Sequence, residues 1–307
     1  MKVKPALVYL AMLVFAFTGG CGVGSTESKR HGEPPFFVPP DVQPVDDDAQ
    51  DVTPKGDEPG SKLQTFQIAV TNARTSPNWG PVLKDIVNHE APGDSNPYED
   101  LITLGHETSH GIHAFIRNTR NNTGRKANGF YLLNGKAVLV PEPRMRKSDV
   151  APYIPASLRT SRYELYIAGQ TAWDDRPLYI ADEWNAYING SAAGVDLAER
   201  GLWRAGWRDG VTGTLEFSAY AVALAMAAER LDPQLFSVEE QMREFIAYNL
   251  KRAMKLFFAG RKFRDFASAD QDRFYLNFRD GSETAEMRAF LNRVYGERWV
   301  EAHVFTE

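Results

Sequence analysis

Cysteine is nearly absent from this chain: Cys21 stands alone among 307 residues. An intramolecular disulfide is therefore excluded, and so is a zinc site built on clustered thiolates. A basic surplus is lacking too. Lys and Arg total 35 against 40 Asp and Glu, a net charge of -5, whereas nucleic-acid binders present a basic footprint. Nucleic acid is thus not expected as a partner. The most apolar run, "ALVYLAMLVFAFTGG" at 6–20, is too short for a comfortable membrane span. Histidine is scarce as well, with six in the chain. Yet His106, His110 and His113 fall within one eight-residue window, and that concentration is the first sign of a site.

The N-terminus joins positive charge (Lys2, Lys4) to the apolar run and ends at "TGGCG", with Cys21 directly after small residues. This resembles a bacterial lipoprotein signal peptide, with Thr18 where such sequences usually carry an aliphatic residue. The resemblance implies that residues 1–20 are a signal peptide. Cys21 would then be the lipidated mature N-terminus, anchoring an exported protein to a bacterial (outer) membrane. Residues 21–61 are rich in proline, glycine and acidic side chains, a composition that cannot bury enough apolar surface to offset ordering entropy. They are expected to be an extended tether, and residues 62–307 the folded domain.

Within that domain, "LQTFQIAVT" (63–71) alternates as a strand does. Residues 81–91 and 97–120 read as helices, the second entered through Ser95, Pro97, Glu99 and Asp100. Asn134-Gly135 joins two apolar runs within 129–143 and predicts a hairpin. A proline-broken loop (141–157) follows. Helices are then expected over 158–173, 176–202, 216–231, 237–258 and 284–296, the fourth opened by a capping box at Ser237 and Glu240. No internal repeat is visible. This order predicts an α+β domain, mostly helical, with a small sheet or hairpin.

The stretch His106-Glu107-Thr108-Ser109-His110 lies inside the second helix. Residues four apart share a helix face, so both imidazoles can aim at one metal while Glu107, on the adjoining flank, reaches a water there. This is the chemistry of H-E-x-x-H zinc peptidases: the ion supplies Lewis acidity and acidifies water, and the glutamate takes the proton. Gly105 and Gly111 flank the motif and predict close packing around that face. His113 is not a suitable third ligand. It lies about 10.5 Å along the helix from His106, too far for both to hold one ion at about 2.0–2.1 Å. It reads as a residue behind the ligands, a lining residue, or a packed core histidine.

The motif resembles that of gluzincin metallopeptidases, in which a glutamate on a later helix completes the site, often within Asn/Asp-Glu-x-x-Ala. This chain has Asp182-Glu183-Trp184-Asn185-Ala186. The resemblance implies a zincin-like fold, Zn2+ held by His106, His110 and Glu183, and Glu107 as general base. Ala186 would let the two helices approach. Glu142, Glu164 and Glu199 are weaker ligand candidates. Thermolysin-like enzymes carry Asp four residues after the ligand glutamate, where Tyr187 stands here, so the support behind the ligands must differ. Tyr187, Tyr163, Tyr166 and Arg162 are candidates for stabilising an oxyanion. The expected function is peptide-bond hydrolysis on a protein or peptide substrate. The alternatives are a non-catalytic zinc-binding surface lipoprotein and a zinc hydrolase acting on a non-protein bond.

Overall fold

The histidine-bearing helix begins four residues after Pro97, because Asp100 caps it. The structure, a computed structural model, describes residues 58–307. The signal peptide, Cys21 and the tether up to residue 57 lie outside the described residues. In α2 (Leu101–Arg120), the Asp100 carboxylate accepts from the Thr103 N–H at 2.7 Å, which satisfies one of the orphan donors of the first turn. Before it, α1 (Pro81–Asn88) opens on Pro81, where a missing N–H costs nothing.

The sheet has three antiparallel strands in the order β1-β3-β2. They are β1 (Phe66–Gln67), β2 (Ala127–Tyr131) and β3 (Lys136–Pro141). The hairpin turns as predicted, with Leu133, Asn134 and Gly135 all at positive φ. The strand expected over 63–71 shrinks to two residues. Around it the Gln241 side chain accepts from Gln64 N–H and donates to the carbonyls of Gln64 and Leu139, doing there what a longer ladder would do. At the start of the described residues, Gly60 and Lys62 donate their N–H groups to Glu244. The first of these bonds ties Gly60, inside the expected tether, to the domain.

The predicted helix over 158–173 is not an α-helix. It breaks into a 3-10 turn (Ala156–Leu158), a π-helical segment (Tyr163–Ala168) and a second 3-10 turn (Thr171–Trp173). The buried Lys147 ammonium donates to the carbonyls of Tyr166, Ile167 and Gly169 at 2.6–2.9 Å, and this competes with helical continuation. The helices that follow are α3 (Tyr179–Glu199), α4 (Thr212–Leu231) and α5 (Gln241–Gly260). The capping box at Ser237 and Glu240 is not formed: residues Gln234–Val238 make a π turn, and α5 starts after Glu240, whose φ is +60°. A helix not expected from the sequence, α6 (Ala269–Asp280), is capped by Ser268. The fold closes with α7 (Ala285–Tyr295) and the short α8 (Glu297–Val300).

The described residues are thus α+β, mostly helical, and lie within one compact unit. Helix α4, apolar around most of its circumference, runs buried through the middle. Helix α2 packs along α3 on one side and against β2 on the other. Its Leu104, Ile112 and Ile116 cluster with Leu83, Ile86 and Val87 of α1 and with Tyr131 of β2. No helix among the described residues is long and apolar enough to cross a membrane.

The tight approach of α2 and α3 differs from the predicted one. A Cβ added at Gly105 would meet only ordinary contacts at 3.5 Å, and one at Gly111 only the Asp94 carboxylate. The crossing is set instead at Gly190, where a Cβ would lie 2.9 Å from the Ile102 carbonyl and 3.3 Å from the His106 Cβ. Ala186 is fully buried, but the closest approach falls one turn further along α3.

Candidate metal centre

His106 and His110 stand one turn apart on α2, and Glu183 enters from the second turn of α3, its carboxylate fully buried. The two Nε2 atoms are 3.1 Å apart. Glu183 Oε2 lies 3.6 Å from the first and 3.5 Å from the second. Ligands at about 2.0–2.1 Å on a tetrahedral zinc are separated by roughly 3.3 Å, so the three atoms stand where one ion would hold them. Neither oxygen of Glu183 has a hydrogen-bond partner. A buried carboxylate left bare costs several kcal/mol (order of magnitude) unless a cation or proton meets it. These buried groups could hold a metal ion.

A second set, His110, His113 and Asp182, also lies close together, and its distances have a different meaning. Asp182 Oδ1 accepts from His110 Nδ1 at 2.7 Å and from His113 Nδ1 at 2.8 Å. Those are hydrogen-bond lengths, and no ion fits between the atoms. Asp182 Oδ2 accepts from Asn128 Nδ2 at 2.8 Å, with Arg117 3.7 Å away. Asp182 therefore sits behind His110 and turns its Nε2 lone pair toward His106 and Glu183. His113 is fully buried and belongs to this supporting layer.

Burial alone would raise Asp182, but the flanking His113 and His110 imidazoles outweigh it and hold the carboxyl well below its usual range. Glu183 follows the same pattern, its pKa brought down to about 2 by the histidines against the pull of burial. Burial would lower His110, yet Glu183 and Asp182 raise it well above its ordinary value. His113 falls below its ordinary value because burial dominates there. Two carboxylates around one imidazole make the pocket strongly attractive to a cation.

Glu107 lies half-buried on the flank of α2. The phenol of Tyr98, in the loop before α2, is raised by burial and then by the charge of Glu107. Burial and then the Glu183 charge raise the phenols of Tyr166 and Tyr179. Trp173 stacks on Tyr179 with ring centroids 5.3 Å apart. Tyr187 sets its ring edge against His106 at 4.5 Å, and its hydroxyl lies 3.4 Å from both Arg162 Nε and the Tyr166 hydroxyl. Arg162 is engaged by Asp209 and Glu216. Tyr163 faces Tyr220 and Arg159 instead. Tyr179 was not singled out from the sequence, although it precedes Glu183 by one helical turn and so shares its face.

The weaker ligand candidates are elsewhere. Glu142 accepts from Leu178 N–H at 2.9 Å at the start of α3, and burial pushes its pKa up to about 7. Glu164 and Glu199 are exposed. Comparisons with protein-family models, curated proteins and solved structures found no match for this chain.

Proposed function

We propose that the protein is a zinc-dependent hydrolase of gluzincin type with a zincin-like fold, acting as a peptidase on protein or peptide substrates. The observation that carries this is the convergence of His106, His110 and a buried, unpartnered Glu183 carboxylate, with Glu107 free on the adjoining flank. Zinc held there by His106, His110 and Glu183 would polarise a scissile carbonyl and acidify water. Each side chain then has a distinct task. Glu107 takes the proton from the attacking water and passes it to the leaving amine. Asp182 keeps the His110 proton on Nδ1. The phenols of Tyr166 and Tyr179, kept neutral by burial and by Glu183, are donors available to a developing oxyanion. On the sequence alone, the proposal includes export and a lipid anchor on Cys21.

The test is made on the full chain. The protein should take up about one zinc, and Glu107→Gln should keep the metal while hydrolysis of a peptide mixture falls by about 10²–10⁴-fold. A chain that takes up no zinc after reconstitution refutes the reading. A zinc-loaded wild type without turnover on any peptide would refute the peptidase and leave a binding protein or a hydrolase of a non-protein bond.

A further inference from the structure

The polar layer behind the site continues past His113 into α5, and its hydrogen bonds have only one consistent direction. Asn185 Nδ2 lies 2.9 Å from His113 Nε2 and 2.8 Å from the Tyr131 carbonyl. Asn185 Oδ1 receives Asn249 Nδ2 at 3.1 Å and Arg252 at 3.4 Å. Arg252 also donates to Asn249 Oδ1 at 2.8 Å and to Asn189 Oδ1 at 3.1 Å. A guanidinium only donates and a carbonyl only accepts. The amide of Asn185 is therefore fixed from both ends, nitrogen toward Tyr131 and oxygen toward Arg252. Its second N–H has nowhere to go except His113 Nε2. That nitrogen must be a lone pair, so the ring proton of a neutral His113 sits on Nδ1, facing Asp182.

We propose that Asn185, oriented by Arg252, is a positioning residue that sets the tautomer of His113 and so makes Asp182 a double acceptor. With the opposite tautomer, a His113 lone pair would meet Asp182 Oδ1 at 2.8 Å. The carboxylate would then be pushed off the position in which it holds His110. The relay runs Arg252, Asn185, His113, Asp182, His110, and ends on the Nε2 that faces Glu183. Its consequence for metal affinity rests on the reading of His106, His110 and Glu183 as ligands. The tautomer assignment does not.

The experiment uses the full chain with 15N-labelled histidine, stripped of metal, and reads the two ring nitrogens of His113 by long-range 1H–15N correlation. Wild type should show a protonated Nδ1 and a bare Nε2; a protonated Nε2 overturns the proposal. Asn185→Leu removes the donor and should populate both tautomers, with zinc affinity about 10–100-fold weaker, the range for groups that orient metal ligands. Arg252→Met, which leaves Asn185 chemically intact, should weaken zinc about tenfold, and Arg252→Lys should recover most of the loss. Folded Asn185→Leu and Arg252→Met proteins with wild-type tautomer and zinc affinity also overturn it. If wild type binds no zinc at all, the metal reading fails, and the nitrogen spectra still decide the relay.

Discussion

Gly190→Ala and Gly105→Ala differ by one methyl group each on facing helices, and the structure predicts opposite outcomes. At Gly190 the new Cβ would lie 2.9 Å from the Ile102 carbonyl oxygen and 3.3 Å from the His106 Cβ. Carbon–oxygen contacts settle near 3.3–3.6 Å, so α3 must withdraw from α2 by roughly 0.4 Å. The obstruction is backbone, which no rotamer change relieves. Overpacking of this kind costs about 1–3 kcal/mol, and at about 2–4 °C per kcal/mol for a domain of this size Tm should drop by roughly 2–12 °C. The withdrawal occurs beside His106 and separates it from Glu183. Metal sites tolerate about ±0.2 Å, so zinc affinity should fall as well. At Gly105 the nearest atoms are all 3.5 Å away, which is ordinary contact. There alanine recovers about 1 kcal/mol of helix propensity, and Tm should rise by about 2–4 °C. Thermal unfolding monitored by circular dichroism, with and without zinc, measures both. Equal shifts in the two variants, or a neutral Gly190→Ala, would refute the argument that α2 and α3 cross on Gly190.

Other perturbations read other parts of the same structure. Zinc at about 1,000 times its Kd should stabilise the wild type by about 4 kcal/mol, or roughly 8–16 °C in Tm; chelation should reverse this, and Glu183→Gln should abolish most of it. Replacing Lys147 with Met strands three carbonyls now bonded at 2.6–2.9 Å and should cost about 1–3 kcal/mol by chemical denaturation, as well as loosening the segment that carries Tyr166. His89 supplies a pH test. Burial would lower its pKa, but the Asp85 carboxylate and backbone carbonyl raise it, and in Asp85 the bonds from His89 and Tyr131 outweigh the opposing burial. A raised histidine stabilises fully below its unfolded value near 6.5 and loses that contribution as pH climbs through the folded value. A lowered aspartate contributes above its unfolded value and loses that only at acid pH. The stability gap between wild type and His89→Asn should therefore be wide near pH 6 and narrow by pH 8.5. A gap that widens with pH contradicts the pairing.

What could be read from the sequence was local. The i, i+4 spacing of His106 and His110 is a property of one helix, and so is the exclusion of His113 as a ligand. The Asn134-Gly135 turn needs only its own backbone. Glu183 was reached through the resemblance of Asp182-Glu183-Trp184-Asn185-Ala186 to a known motif, and the structure brings its carboxylate beside His106 and His110. The misses depend on distant partners. The segment 163–168 departs from α-helix where Lys147, far back in the chain, takes its carbonyls. Helix α5 begins late because residues 234–238 turn with a π pattern before it. Helix α6 buries Gln271, Phe274, Tyr275 and Phe278 at helical spacing, but one of the four is polar and most of the rest of the helix is charged, so its stripe is short and easily passed over.

The supporting layer was hidden for the same reason, and it bears on why two adjacent acids occur at this point of α3. Consecutive helical residues project about 100° apart, so Asp182 and Glu183 cannot face one spot. They reach the same imidazole at its two nitrogens instead: Asp182 bonds His110 Nδ1 at 2.7 Å, and Glu183 stands 3.5 Å from its Nε2. One turn of α3 thus provides both the bare carboxylate at the front and the acceptor that orients the ring from behind. Asn185, two residues on, fixes the donor on His113 that shares that acceptor. Tyr187, four residues after Glu183, packs against His106, and the acid that orients a histidine is Asp182, just before Glu183 and bonded to His110. Any slide or rotation of α3 would therefore disturb the bare carboxylate and the acceptor behind the ring together, which is why the Gly190 crossing carries consequences for the candidate metal centre as well as for the fold.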